Sequence, residues 1–270
     1  MAGLKIGVAG AAGRMGATLV RQVNATDGCV LAGAIEQKGN AAVGRDAGEV
    51  AGLDSLGVAI GDDPVEMFAA ADAVLEFTAP EATAEHAALA AQGKTIHVIG
   101  TTGLNAGHEK ALAMAARHTA VVRASNFSVA VNLMMALTEQ VARILDEGYD
   151  IEILEMHHRH KVDAPSGTAL GLGEAAARGR GVRLDDVAQR ARDGRTGARR
   201  AGDIGFAVLR GGDVVGEHTV VFAGDGERLA ISHQAAGRQI FARGAVRAAL
   251  WARGKPPGLY GMRDLLGFED

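Results

Sequence analysis

Residues 5–16 read KIGVAGAAGRMG. The first five form a short β-forming apolar run, Gly10, Gly13 and Gly16 make a GxxGxxG turn, and residues 17–26, ATLVRQVNAT, repeat apolar side chains at helical spacing. Strand, tight turn and helix in that order make a close variant of the dinucleotide-binding fingerprint. Its glycines permit the turn and a close backbone approach, and the first turn of the helix offers unpaired N–H groups to a pyrophosphate. Residues 29–36, CVLAGAIE, read as the second strand. They end in Glu36, an acid about 20 residues beyond the glycines, where the fingerprint places a ribose ligand.

The alternation continues outward from this unit. Residues 72–80, DAVLEFTAP, predict a strand, 81–93 a helix, 95–103 (TIHVIGTTG) a strand, 109–117 a helix and 120–125 (AVVRAS) another strand. Strands alternating with helices argue for a parallel, doubly wound α/β sheet that binds ligands at the carboxyl ends of its strands. FTAP, GTTG and ASNF all fall at such ends, so three polar turns point to one crevice rather than to three helix caps. After residues 125–130 the pattern changes. Residues 131–145 predict a helix and 149–161 a strand running into a histidine-rich stretch. The region from 203 to 235 then predicts short strands joined by GG and GDG turns, an α+β arrangement with a mixed, largely antiparallel sheet. Residues 190–200 are rich in arginine and read as a long solvated loop. Residues 242–251 predict a helix, and the tail GLYGMRDLLGF is expected to return to the first domain.

Composition narrows the classes of partner. The chain has 270 residues, enough for two domains, and a formal net charge of -4, which gives no general attraction to nucleic acid. A small molecule is the expected partner. The single cysteine, Cys29, cannot form an internal disulfide and suits a reducing compartment. No apolar run approaches the roughly 20 residues of a membrane helix, and the opening residues lack a signal-like apolar stretch. The expectation is a cytoplasmic protein without membrane association.

Residues 157–167, HHRHKVDAPSG, carry the strongest chemistry. Three readings compete: a metal site, a solvated cationic patch and a catalytic loop. Against metal stand the alternation of an extended strand end, which turns His157 away from His158 and His160, and the fixed charges of Arg159 and Lys161. Favouring a site, Ser166, Gly167 and Thr168 open a predicted helix whose N-terminus suits a carboxylate. Lys161 and the imidazoles can neutralise a second anionic group or move a proton. The loop therefore suits a small dicarboxylate.

Taken together, GAAGRMG, FTAPEAT, IGTTG, ASNFSVAVN, EMHHRHKVDAPSGTAL, GDVVGEHTVVFAGDGERLAISH and GLYGMRDLLGF, in that order, closely resemble the 4-hydroxy-tetrahydrodipicolinate (dihydrodipicolinate) reductase family over nearly the whole chain. The resemblance implies a Rossmann-like dinucleotide-binding domain of residues 1–128 and 238–270. It implies a substrate-binding and oligomerisation domain of residues 129–237, and a homotetramer built through the sheets of that domain. It implies proton-handling roles for His157 and Lys161, and substrate carboxylates held by His158 and by the backbone of Gly167 and Thr168. It implies a cofactor, NADH or NADPH, held by Gly10, Ala11, Ala12, Gly13, Arg14 and Met15, by Gly100, Thr101 and Thr102, and by Ala124, Ser125, Asn126 and Phe127. No metal is implied.

One departure bears on the cofactor. Some members carry an arginine directly after the ribose-binding acid, whereas this chain has Glu36, Gln37 and Lys38. Glu36 and Gln37 suit the free ribose of NADH, and Lys38 leaves NADPH within reach. Two other functions compete with the reductase reading: a non-catalytic nicotinamide-dinucleotide sensor on the same fold and a metal-dependent hydrolase using His157, His158 and His160.

Overall fold

The computed structural model describes residues 3–268. The chain divides into two compact units. One is formed by the chain up to Ser128 together with the chain from Arg238 onward, and the other by Val129–Gly237.

In the first unit the chain runs through β1 (Leu4–Ala9), α1 (Arg14–Asn24), β2 (Cys29–Ile35), α2 (Ala47–Val50), β3 (Ile60–Gly61), α3 (Pro64–Ala70), β4 (Ala73–Glu76), α4 (Pro80–Gly93), β5 (Ile96–Ile99), α5 (Ala106–Ala115) and β6 (Ala120–Arg123). The strands lie in the order β3-β2-β1-β4-β5-β6, all parallel. Their central residues are apolar and buried, as a parallel sheet covered on both faces requires: Ile6, Val8, Val74, Leu75, Val98 and Val121 have no exposed surface. The order reverses at β1, so the chain leaves to opposite sides from β1 and β4 and opens a crevice at their carboxyl ends. Local chemistry sets the helix starts. Asp63 caps α3 with Pro64 at its first position, and Asn105 forms a capping box with His108 at α5. Asn105, not Thr101 or Thr102, therefore caps α5.

The second unit contains α6 (Val129–Ile144), β7 (Asp150–His157), α7 (Gly167–Arg180), α8 (Leu184–Val187), β8 (Ala188–Gln189), β9 (Ile204–Arg210), β10 (Gly216–Gly224) and β11 (Glu227–Ala235). Its sheet runs β11-β10-β7-β9-β8. It is mixed, yet less antiparallel than its glycine turns predict. β11, β10 and β7 pair antiparallel, whereas β7 pairs parallel with β9, and β9 with β8. The reason is the helical crossover: α7 carries the chain back to the starting end of β7, and a strand that follows such a crossover joins parallel. Helices α6 and α7 cover one face, where Ile151, Ile153, Val220 and Phe222 pack against Met134, Leu172 and Ala176. On the opposite face the alternation leaves Leu154 and Leu209 41% and 48% exposed.

The arginine-rich segment also departs from expectation. Most of it is exposed, but Arg192 pairs with both oxygens of Glu152, and Arg199 binds Glu152, Asp150 and the Ile151 carbonyl. A solvated loop is thereby tied to β7 by partners some 40 residues earlier in the sequence.

The closing segment belongs to the first unit. α9 (Gln239–Ala252) packs on α1, β12 (Gly258–Tyr260) adds a parallel edge to β6, and α10 (Met262–Leu266) follows. Gly244 lets α9 approach: a Cβ there would stand 1.7 Å from the Phe127 carbonyl oxygen. No helix among the described residues is long and apolar enough to cross a membrane.

Candidate active site

The glycine turn is built as its spacing demands. Gly10 leaves β1 in the left-handed region (φ 69°), and Gly13 donates its amide to the Gly10 carbonyl at 3.0 Å. Gly16 lies against this turn so tightly that a Cβ would meet the Gly10 oxygen at 1.9 Å. Gly13 is the N-cap of α1 and supplies no side-chain hydrogen bond, and the first turn holds no acid. Its amides are thus left for an anion from outside the chain. They open on a crevice of about 400 Å³ lined by Gly10, Gly13, Arg14, Met15, Phe77, Gly100, Ser125, Asn126, Phe127, Arg238 and Phe241. Phe77 packs directly over Gly100, where a Cβ would fall 2.0 Å from the ring, and its ring centroid lies 5.5 Å from that of Phe127. A bare helix start beside flat aromatic walls fits a dinucleotide.

Glu36 stands at the same turn. Its Oε1 accepts the Ala12 amide at 2.9 Å, and its Oε2 accepts the Gln37 amide and the Asn40 side chain, both at 3.2 Å. A carboxylate accepts about four hydrogen bonds, so Oε1 retains capacity for a ribose hydroxyl. Other expected residues take part in the backbone frame or lie outside the crevice lining. The Ala11 and Ala124 amides bind the Ile35 and Ile99 carbonyls, while Gln37 and Thr102 are exposed and do not line the crevice.

Thr101 turns inward. Its Oγ1 accepts the Thr78 amide at 3.1 Å and lies 2.9 Å from Thr83 Oγ1, inside a buried polar cluster around Glu76. The fully buried Glu76 carboxylate receives Thr78 Oγ1 at 2.5 Å, His86 Nδ1 at 2.9 Å and His97 Nε2 at 2.6 Å, with Thr83 Oγ1 at 3.1 Å. Burial alone would raise its pKa, but the two imidazoles outweigh burial and hold it well below the usual carboxylate range. Phe77 lies between Glu76 and Thr78, and Gly100 directly precedes Thr101, so both crevice residues adjoin this one hydrogen-bond network. Phe77, Arg238 and Phe241 were not among the expected site residues. The FTAP turn already placed Phe77 at a strand end, whereas nothing local marks residues 238 and 241.

The second unit gathers the histidine loop around Glu155. β7 ends at His157, so the histidine run is not one extended strand. His157 is buried, with Nδ1 2.5 Å from Glu155 Oε2, and its ring meets His218 edge-on at 5.1 Å. Glu155, 1% exposed, takes both Arg210 terminal nitrogens, at 2.7 and 2.9 Å, and the Ser166 amide at 3.0 Å. Ser166 caps α7 by accepting the Ala169 amide, and its Oγ lies 3.1 Å from His218 Nε2. Gly167, in the first turn, has open space where a side chain would stand, and that turn carries no acid. Lys161 Nζ donates to both oxygens of Asp163, at 2.7 and 2.9 Å. His158 is half-buried with Nδ1 unpartnered, and the exposed His160 ring lies 6.3 Å away. Glu155, Arg210 and His218 were absent from the expected set. Alternation in DIEILEMH and GEHTVV places Glu155 and His218 on the same inward face as their apolar neighbours, the signal that could have found them.

The electrostatics follow from burial and pairing. Burial would raise the Glu155 pKa, but Arg210, His157 and the Ser166 amide outweigh it and keep the carboxyl below its ordinary value. Burial pushes His157 down, Glu155 pulls it up, and Lys161 and Arg210 push it down again, leaving it below the usual imidazole range. Burial, with His157 nearby, pushes His218 down to about 4. His218 therefore binds a proton more weakly when folded than when unfolded, where imidazole titrates near ~6.5. Its contribution to stability is complete above that value and is lost as pH falls toward 4. The loss amounts to about 3 kcal/mol at the acid end. His218→Gln should flatten this part of a plot of Tm against pH; an equally steep acid loss in the variant would contradict the assignment.

A parallel sheet with a glycine-turn crevice at a bare helix start, together with a cationic histidine loop, defines an oxidoreductase that uses a nicotinamide dinucleotide. Sequence profiles described as "Dihydrodipicolinate reductase, N-terminus" and "Dihydrodipicolinate reductase, C-terminus" match residues 4–127 and 130–266. The chain belongs to the 4-hydroxy-tetrahydrodipicolinate reductase family. The reductase of Ruegeria pomeroyi is 61% identical over 260 residues, 96% of this chain and 97% of that one. That of Chelativorans sp. is 60% identical over 264 residues, 97% and 95% of the two chains. The structure of a dipicolinate-bound dihydrodipicolinate reductase from Paenisporosarcina sp. TG-14 shares the fold, with a TM-score of 0.78 over 97% of this chain and 99% of that one at 23% identity.

Proposed function

We propose that this chain reduces 4-hydroxy-tetrahydrodipicolinate, the (2S,4S) cyclic dicarboxylate, to tetrahydrodipicolinate with loss of water, at the expense of NADH or NADPH, in lysine and diaminopimelate biosynthesis. The observation that carries the reading is the histidine loop. A buried imidazole, a cationic amine and an α-helix start without an acid come from one stretch, His157 to Thr168, at the head of α7. The reductase relatives match this chain across nearly their whole length, and the Paenisporosarcina protein is bound to dipicolinate, a dicarboxylate of this kind.

The chain's residues divide the work as follows. The amides of Gly167 and Thr168 at the start of α7 receive one carboxylate, and His158 receives another. His157 and Lys161 move protons at the ring, with cationic charge stabilising electron density that develops toward the imine nitrogen. The nicotinamide supplies hydride when bound. Gly10 to Met15 hold its pyrophosphate at the start of α1, with Phe77, Gly100 and residues 125–127 walling the crevice. The first unit is the dinucleotide-binding domain, and Val129–Gly237 the substrate-binding and oligomerisation domain. The exposed apolar residues Leu154 and Leu209 support assembly through this sheet face into a homotetramer, which light scattering reads directly. A single free thiol, Cys29, suits the cytoplasm.

The test couples the purified protein to the upstream synthase with pyruvate and aspartate semialdehyde, following NADH or NADPH absorbance. Substrate-dependent oxidation is expected; none with either cofactor would sink the assignment. NADH is expected to give the higher kcat/KM, because the spare capacity of Glu36 suits a hydroxyl and its charge repels a 2′-phosphate. Glu36→Ala should raise the KM for NADH with a smaller change in kcat. A strong NADPH preference, mediated by the exposed Lys38, would reverse this order.

A further inference from the structure

The Glu155 carboxylate bonds both ends of the loop, His157 and Ser166. Its Oε1 accepts the Ser166 amide and one Arg210 nitrogen, and its Oε2 accepts His157 Nδ1 and the other Arg210 nitrogen. Four bonds exhaust the acceptor capacity of a carboxylate, and the group is buried. It has nothing left with which to bind substrate or exchange a proton. Arg210 also donates to the Asp163 carbonyl, and Asp163 in turn holds Lys161.

We propose that Glu155 is a positioning residue: it fixes the tautomer and direction of the His157 imidazole and ties that ring to the start of α7 through the same carboxylate. The inference rests on the reductase reading above. An ionised carboxylate only accepts, so the proton of the neutral ring resides on Nδ1 and the lone pair on Nε2, which has no hydrogen-bond partner among the described residues. The ring can thus take a proton only at Nε2 and return it from the same atom. The Ser166 bond sets the distance between that atom and the anion-binding amides. The charged and titratable groups facing His157 are Glu155 on its own strand, Arg210 on β9, Lys161 on the following loop and His218 on β10. Of these, Glu155 alone favours the protonated ring. Arg210 supplies the compensating charge that keeps Glu155 ionised, so the pair orients the ring without taking its proton.

The experiment reads the imidazole directly. In the wild-type protein, long-range ¹H–¹⁵N spectra should give His157 as the Nδ1–H tautomer; an Nε2–H tautomer would overturn the proposal whether or not any variant folds. Glu155→Gln places an amide against Nδ1. The fixed tautomer should be lost, the ring should titrate at lower pH, and the acid limb of the kcat–pH profile should move down with it. The loss in kcat should be about 10–100-fold, with a smaller change in substrate KM. Glu155→Asp, which keeps the charge, should restore the tautomer in part. An unmoved His157 in a folded Glu155→Gln protein, or a moved ring with an unmoved kcat profile, would overturn the positioning role. If instead the ring responds as stated but wild-type protein oxidises neither cofactor with substrate, the reductase reading fails and the positioning of His157 stands.

Discussion

His157→Gln is expected to lower kcat by about 10²–10⁴-fold, the range of a lost general acid or base, and Lys161→Ala by a similar factor. The two variants differ in what else they disturb. Glutamine can still donate a hydrogen bond to Glu155, so the buried carboxylate keeps a partner while the site loses its titratable nitrogen. Lys161→Ala removes an amine that, among the described residues, pairs with the exposed Asp163, and surface pairs of this kind contribute little to stability. Both proteins should therefore unfold close to the wild-type temperature, and the kinetic loss can be assigned to chemistry. Steady-state assays with the coupled synthase measure it. Wild-type turnover in both variants would reduce the loop to a binding surface.

Gly16→Ala should weaken cofactor binding by more than about tenfold. The added Cβ would stand 1.9 Å from the Gly10 oxygen and 2.7 Å from Ala11 Cα, both backbone atoms that no rotamer change can move. Helix α1 has to withdraw from the turn, at a cost of about 1–3 kcal/mol in stability for overpacking of this kind. The displaced amides no longer converge on the pyrophosphate. A rise in the dissociation constant for NADH of more than about tenfold is expected, equivalent to ~1.4 kcal/mol. Titration calorimetry with NADH and thermal unfolding together measure both effects. An unchanged dissociation constant would show that the crevice at this turn is not the cofactor site.

The first half of the fold was legible because its information is local. A β run, three glycines at fixed spacing and a helical repeat lie within about 20 residues, and Glu36 follows at a distance set by one strand. The parallel pairing of β7 with β9 was less so, since the glycine turns flanking β10 and β11 dominate that region and the α7 crossover outweighs them. At the site, residue types in the loop were readable but side-chain directions in turns were not. Thr101 looks like a crevice residue by position, yet its hydroxyl turns toward Thr83, 18 residues earlier. Arg238 and Phe241 reach the crevice from the far end of the chain, and no local pattern marks them. Glu155 is the instructive omission. An acid at an inward position of an alternating strand needs a buried partner, and Arg210 lies 55 residues away.

The cluster around Glu76 carries a consequence for how the sequence can drift. Glu76, Thr78, Thr83, His86, His97 and Thr101 are joined in one hydrogen-bond network, in which His97 Nδ1 has no partner among the described residues, and all but Thr78 are buried. Changing one leaves a buried polar group unpaired, at about 1–3 kcal/mol, and more where a charge loses its partner. Replacing the whole set by apolar side chains of similar shape can come close to neutral. These six positions are therefore inherited as a block: any path from one workable set to another passes through less stable intermediates, and a transplanted helix α4 has to bring the Glu76 strand with it.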